Sequence, residues 1–492
     1  MGTSTSRVNK YLKGDTLDYT QEAFHGWLQE SSDLVLKQFT NPDHIKGYNS
    51  PPQKVLDEWF DEPLPEHGMD LSQLLKEVEK KVVSTATGNL GPHMYGYVMS
   101  GGNQVSILAE QISATINQNV AKWHLAPSIT EIEKRVIEWI AGYIGFGENV
   151  GGFLWSSGSA ANLDGITVAR NIHFEHQRVR ENGLFGMKPI IVYCSDETHN
   201  CIDKSVQMLG IGSKQLRKVP TNDTFQLRLD ILEQQIIKDR SEGFDPFCVI
   251  GNAGTVNTGA IDDLAGIASI AKKYGLWYHI DGAYGGVVAG LDSIKDKYMG
   301  IESADSIALD FHKWLYQPFE VGCLLVKDWG ILNRAYYRKA DYLDNSLEDR
   351  KGRTDFNEHH FLLSRNAKAL KVWMTIKAYG MGRIGAMIQK DIDLTHYLNE
   401  KIESSADFEL VASSDLAISC FRYKGSMTDK QAIIGFNQKL IPALEQDGRV
   451  FITGTQLKGD FVIRACLTNH RKSKASIDYL LHVIREVAEG LS

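Results

Sequence analysis

Four short polar segments of this chain hold residue types that can do more than pack, and each closes an apolar run. Ser156-Ser157-Gly158-Ser159-Ala160-Ala161-Asn162 leads from one such run into a helical pattern. Small residues there let backbone approach a phosphate, and the helix start adds unpaired N–H donors and a positive dipole end. The same residues also describe a serine N-cap with a tight turn. Ser195-Asp196-Glu197-Thr198-His199 places an imidazole where it can stack on an aromatic ring and move protons, or serve as a structural histidine. In His279-Ile280-Asp281-Gly282-Ala283-Tyr284-Gly285-Gly286, the Asp281 carboxylate can meet a flat ring edge-on and keep a ring nitrogen protonated. By itself it is equally a strand-end aspartate capping a turn. Asp310-Phe311-His312-Lys313-Trp314-Leu315 sets a lysine among aromatic and apolar residues. Burial disfavours an ammonium and frees an amine to condense with an aldehyde, while the plain alternative is a surface lysine laid along apolar neighbours.

Together these segments supply a phosphate cradle, a ring stacker, a carboxylate for a pyridine nitrogen and an amine for an aldehyde. Those are the parts of a pyridoxal 5'-phosphate site.

The elements that must position them alternate along the middle of the chain. Apolar runs at 152–156, 190–194, 247–251, 277–280, 306–309 and 322–326 read as strands, with helical patterns at 129–143, 162–173 and 264–274 between many of them. The class is α/β, a mainly parallel sheet covered by helices, with ligands at the carboxyl ends of the strands. This large domain is expected over 91–385. Residues 1–90 read as helices at 23–39 and 71–83 around the break Asn49-Ser50-Pro51-Pro52, with too little apolar surface to fold alone. Residues 386–492 read as a small α+β domain, with strands at 417–422 and 461–466 and helices at 430–445 and 477–489. At 492 residues the chain exceeds the roughly 250–300 that one core serves.

Composition narrows the function. The net charge of −8, from 53 basic and 61 acidic residues, argues against a broad nucleic-acid footprint. Six dispersed cysteines form no CxxC pair and no metal-ligand spacing, so no metal is expected and the thiols read as buried and reduced in the cytoplasm. The first residues lack the apolar core of a secretory signal. Gly2 and Ser6 match the loose N-myristoylation pattern, beside the plainer reading of a flexible start. No run reaches the about 20 apolar residues of a membrane helix, so no membrane partner is expected.

The Asp281-Gly282-Ala283-Tyr284-Gly285-Gly286 and Asp310-Phe311-His312-Lys313-Trp314 segments resemble the group II pyridoxal-phosphate decarboxylases. Ala126-Pro127-Ser128-Ile129-Thr130-Glu131-Ile132-Glu133 resembles that family's substrate-side segment, and Ser364-Arg365-Asn366-Ala367-Lys368-Ala369-Leu370-Lys371 its later helix start. The resemblance covers nearly the whole chain. It implies the fold type I aminotransferase architecture, a seven-stranded sheet, and an obligate homodimer with active sites at the interface, the N-terminal helices packing on the partner. It also implies an amino acid substrate, a Schiff base on Lys313, Asp281 at the pyridine nitrogen and His199 on the ring. Ser157, Gly158, Ser159, Ala283 and His312 would line the cofactor and phosphate seat. Aromatic side chains suit an aromatic substrate, so Tyr95, Tyr97, Trp123 and His124 are candidates for contacting it; any packed dimer interface also contains such residues.

The chain departs from the family pattern in three places. Asn252 and Asp310 stand where the family usually has Thr and Asn, and both are still expected to contact the cofactor site. Asp310 beside a phosphate would repel it unless it points elsewhere or meets a donor. In the mobile loop, counting back from Ser364-Arg365 puts Phe356 at the place of the tyrosine that returns a proton to the carbanion, and phenylalanine has no proton to give. Plant aromatic aldehyde synthases show the same change, so an aldehyde product stands as the alternative to an amine. With a gap in the count, His359, His360 or Tyr342 takes that place. An aminotransferase or carbon–sulfur lyase on the same fold is the other rival, with Arg464 as its carboxylate-binding arginine.

Overall fold

The computed structural model describes residues 11–338 and 353–491. Its main element is a seven-stranded sheet. The strands are β1 (Gly151–Trp155), β2 (Ile190–Ser195), β3 (Leu216–Val219), β4 (Asp245–Asn252), β5 (Trp277–Gly282), β6 (Ser306–Asp310) and β7 (Gly322–Val326), in the order β1-β7-β6-β5-β4-β2-β3. From β6 to β3 all neighbours are parallel, and β7 alone runs antiparallel to both its neighbours. Six strands fall where the apolar runs put them. β3 has no such run, because it is an edge strand of four residues in which only Leu216 and Val219 are buried, while Arg217 pairs with the buried Asp239 and Lys218 is exposed.

The parallel strands are buried on both faces, as covering helices require. The helix Gly158–His173 follows β1 and begins where Ser157 accepts the N–H of Ala160 at 3.3 Å. The helix Leu264–Tyr274 is capped by Asp263 and stops at Gly275, whose φ of 63° suits glycine. Packing of Phe153, Val192, Phe247, Ile250, Ala308 and Leu324 with Ala161, Ile166 and Ala169 forms the core under the first of these helices.

A second sheet of four strands, β8 (Phe408–Ser413), β9 (Ile418–Tyr423), β10 (Thr453–Leu457) and β11 (Asp460–Cys466), has the order β10-β11-β9-β8. By contacts the chain divides into two compact units, Tyr97–Ile434 with Thr455–His470, and Met1–Gly96 with Gly435–Gly454 and Arg471–Ser492. Among the described residues no helix is long and apolar enough to cross a membrane, and no cluster of side chains has the makings of a metal site. Gly2 and Ser6 lie outside the described residues.

Candidate active site

The carboxyl ends of β1, β2, β4, β5 and β6 bring the four polar segments to one edge of the sheet. Parallel pairing sets Asn252 of β4 beside Asp281 of β5, and Asp281 beside Ala308 of β6. Asp281 is 6% exposed, and its Oδ1 accepts the N–H of Ala283 at 3.1 Å. His199, in the turn after β2, is held from below by the N–H of Cys201, which donates to its Nδ1 at 3.2 Å, so the ring proton belongs on Nε2. Burial lowers its pKa, the Asp281 carboxylate pulls the other way, and Lys313 adds to the lowering, so all three side chains lie within electrostatic reach. The imidazole is therefore neutral near pH 7.

The turn after β1 is as tight as its sequence requires. A Cβ on Gly158 would stand 2.6 Å from the Cβ of Ala283, so only glycine fits there. The N–H of Gly158 donates to Asp310 Oδ2 at 3.1 Å, and Lys313 Nζ lies 3.6 Å from the same oxygen. Asp310 thus meets donors at the helix start. Its Oδ1 lies 2.8 Å from His312 Nδ1 without hydrogen-bond alignment, leaving both atoms buried and unbonded. Ser159 is exposed in the first turn, where its N–H has no carbonyl of its own helix to meet.

Beneath these residues runs a chain of hydrogen bonds that the motifs did not announce. Trp277 Nε1 donates to Ser306 Oγ at 2.9 Å, and Ser306 lies 2.8 Å from His279 Nδ1. His279 Nε2 lies 2.9 Å from Asn162 Oδ1, and Asn162 Nδ2 donates to the carbonyl of Gly158 at 3.0 Å. Because an amide oxygen only accepts, the His279 proton sits on Nε2 and Nδ1 takes the serine proton. Burial lowers the pKa of His279 to about 4, keeping it neutral. The one sequence cue was the i, i+2 spacing of His279 and Asp281, which puts both on one face of β5.

Asn252 is held by its own neighbours. Its Nδ2 lies within hydrogen-bonding distance of Ser195 Oγ (3.2 Å), Thr198 Oγ1 (3.0 Å) and Asp262 Oδ2 (2.8 Å), and its N–H also donates to Asp262. The amide braces the turn that carries His199. Ser100 was not foreseen either: its buried hydroxyl donates to the carbonyl of His312 at 2.5 Å.

Two further expected site residues are enclosed in this structure. Phe356 has no exposed surface; Trp329 meets its ring edge-on at 5.8 Å and the Arg365 guanidinium lies over it at 4.4 Å. A ring so enclosed packs within the described fold. Tyr95 is also wholly buried, its hydroxyl donating to the Ser476 carbonyl at 2.7 Å and Lys472 lying 3.6 Å above its ring. Of the other substrate candidates, Tyr97 is 61% exposed with φ 55°, His124 is exposed, and Trp123 is half-buried beside Arg353, donating its N–H to Asp355 and its indole N–H to Glu131. His359 and His360 are both tucked in, and Tyr342 lies outside the described residues. Arg464 donates through Nε to the carbonyls of Val256 and Asn257 and through Nη1 to that of Tyr97, acting as a strut.

The model of the pyridoxal-dependent decarboxylase conserved domain matches residues 52–424. The chain belongs to the pyridoxal-dependent decarboxylase family. This decarboxylase is 31% identical over 457 residues to an aromatic-L-amino-acid decarboxylase of Bacillus atrophaeus, covering 92% of this chain and 93% of that one. It is 28% identical over 435 residues to a phenylacetaldehyde synthase of Arabidopsis thaliana, covering 87% and 88%. The crystal structure of Oryza sativa TDC with PLP and tryptamine superposes with a TM-score of 0.91 at 22% identity, over 97% of this chain and 100% of that one, a likeness of fold. The decarboxylase is thus a fold type I α/β protein with a small C-terminal sheet, and a carboxy-lyase whose cofactor is pyridoxal phosphate. Its residues fit that group: a glycine cradle at a helix start, and a lysine, a carboxylate and a neutral imidazole converging nearby.

Proposed function

We propose that the protein decarboxylates an aromatic L-amino acid, releasing carbon dioxide and an amine, with Lys313 as the amine that holds the cofactor. The observation that carries this reading is the convergence of Lys313, Asp281 and His199 at one edge of the sheet. When bound, pyridoxal phosphate supplies the electron sink that takes up the pair left on Cα as the carboxylate departs. Lys313 would hold the group through its side-chain amine and would be displaced by the amine of the substrate. Asp281 would hold a proton on the pyridine nitrogen, His199 would pack on the ring, and Ser157, Gly158, Ser159 and His312 would seat the phosphate, with Ala283 beside them. The aromatic preference follows the relative from Bacillus atrophaeus and the exposed Tyr97.

The aldehyde product remains the alternative, supported by Phe356 at the counted loop position and by the relative from Arabidopsis thaliana. Assaying purified protein with tyrosine, tryptophan, phenylalanine and DOPA for amine, aldehyde and peroxide decides the product. Amine as the main product is expected; aldehyde with peroxide would overturn this part of the reading.

A second copy of the chain is the proposed partner. Leu108, Ile112 and Ile116 are 56%, 46% and 44% exposed at four-residue spacing on the helix Gln104–Ile116, an apolar stripe that a homodimer would cover. Leu108→Lys should shift the mass measured by light scattering from dimer to monomer. All six cysteines are free and buried, which suits a cytoplasmic setting.

A further inference from the structure

Behind the cradle a carboxylate sits where no reaction needs one. Asp164, in the second turn of the helix Gly158–His173, is 2% exposed. Its Oδ2 accepts the indole N–H of Trp155 at 2.6 Å and its Oδ1 accepts the hydroxyl of Tyr336 at 2.7 Å. His360 Nε2 stands 3.7 Å from Oδ2, and because His360 Nδ1 accepts the N–H of Leu362, the Nε2 proton points into the same pocket. The charges nearby are the guanidinium groups of Arg170 and Arg180, felt at Tyr336, and of Arg365, felt at His360. Burial raises the pKa of Asp164 to about 6 in spite of its two donors, so the ionised group costs stability at neutral pH.

A side chain kept at such a cost has a task, and the geometry points to one. Trp155 is the last residue of β1, and Ser156-Ser157-Gly158 follows it directly. Asp164 belongs to the helix that this turn opens. The Trp155–Asp164 bond therefore ties strand to helix across the turn, and Tyr336 braces the carboxylate from outside. A carboxylate accepts from both donors and brings none of its own; an asparagine in its place can accept on one atom only.

We propose that Asp164 is a positioning residue for the phosphate cradle, setting, through Trp155, the angle at which the start of the helix meets the cofactor's phosphate. This rests on the reading of Ser157, Gly158 and Ser159 as the phosphate seat. The test titrates full-length wild type, Asp164→Asn and Trp155→Phe with pyridoxal phosphate and with pyridoxal, which lacks the phosphate, reading dissociation constants from absorbance. Both variants are expected to bind pyridoxal phosphate about tenfold more weakly, the effect of one hydrogen bond to a charged group, with pyridoxal affinity little changed. Equal discrimination between the two ligands in wild type and both variants would overturn the inference. Wild type that itself fails to prefer pyridoxal phosphate would overturn the seat and the inference together. If Asp164→Asn does not fold, Trp155→Phe decides alone, since it removes the indole donor and keeps an aromatic side chain in its place.

Discussion

The carboxylate of Asp310 accepts the backbone N–H of Gly158 at 3.1 Å, joining the segment that carries Lys313 to the turn that opens the helix after β1. A phosphate seated at that turn would need the same N–H, and would meet a like charge. Asp310→Asn keeps the shape and removes the charge. The variant should bind pyridoxal phosphate and inorganic phosphate about tenfold more tightly at low salt, and the gain should shrink as salt is added. Competition titration checks this; unchanged or weaker phosphate binding would count against the seat.

Gly158 leaves no room for a side chain, with a Cβ meeting that of Ala283 at 2.6 Å. Gly158→Ala should separate the turn from Ala283 and cost about 1–3 kcal/mol of stability, the usual penalty of overpacking. Cofactor retention on a desalting column should fall with it. Retention at the wild-type level would mean that the turn is looser than its packing shows.

Asp262 holds Asn252 through two bonds of 2.8 Å, to its N–H and to Nδ2, and burial raises the pKa of Asp262 to about 6. Asn252→Asp would set a second carboxylate against it. The expected outcome is a loss of about 2 kcal/mol at pH 8, partly recovered at pH 5 where a proton is shared. Asn252→Thr, which keeps a hydroxyl donor, should be tolerated. Denaturation midpoints at the two pH values check both, and equal loss at pH 5 and pH 8 would contradict the carboxylate pairing.

His279 titrates in the opposite sense. Its folded pKa is lowered to about 4 from 6.5, so the unfolded chain binds the extra proton first. Its contribution is complete above pH 6.5 and is lost as pH falls towards 4, amounting to ~3 kcal/mol. Asp164 and Asp262, raised to about 6, lose stability as pH rises through that value, so wild type alone masks each effect. The stability gap between wild type and His279→Gln should therefore narrow on going from pH 7 to pH 4.5. A gap independent of pH would remove His279 from the titrating set.

The fold was legible because apolar runs mark buried strands, and the candidate reactive side chains were picked out because they sit where those runs end. Asp281, His199, Lys313 and the Ser157-Gly158-Ser159 turn fall there. What escaped the sequence were residues whose partners are remote in the chain. Asn162 and His279 are 117 residues apart, and Tyr336 and Asp164 are 172 apart, so no local pattern links them. β3 escaped because an edge strand with the charged pair Arg217 and Lys218 at its centre makes no apolar run. Phe356 was assigned to the loop tyrosine's place by counting residues. Counting places a residue in the chain and not in its surroundings, which here are Trp329 and the Arg365 guanidinium.

Everything at the site turns on one amine. Borohydride reduction of the protein loaded with pyridoxal phosphate, followed by proteolysis and mass spectrometry, locates the residue that carries the cofactor. The pyridoxyl group is expected on the peptide containing Lys313, and absent from Lys313→Ala. A label on another lysine, or none at all on a wild-type protein that still decarboxylates its substrate, would contradict the assignment.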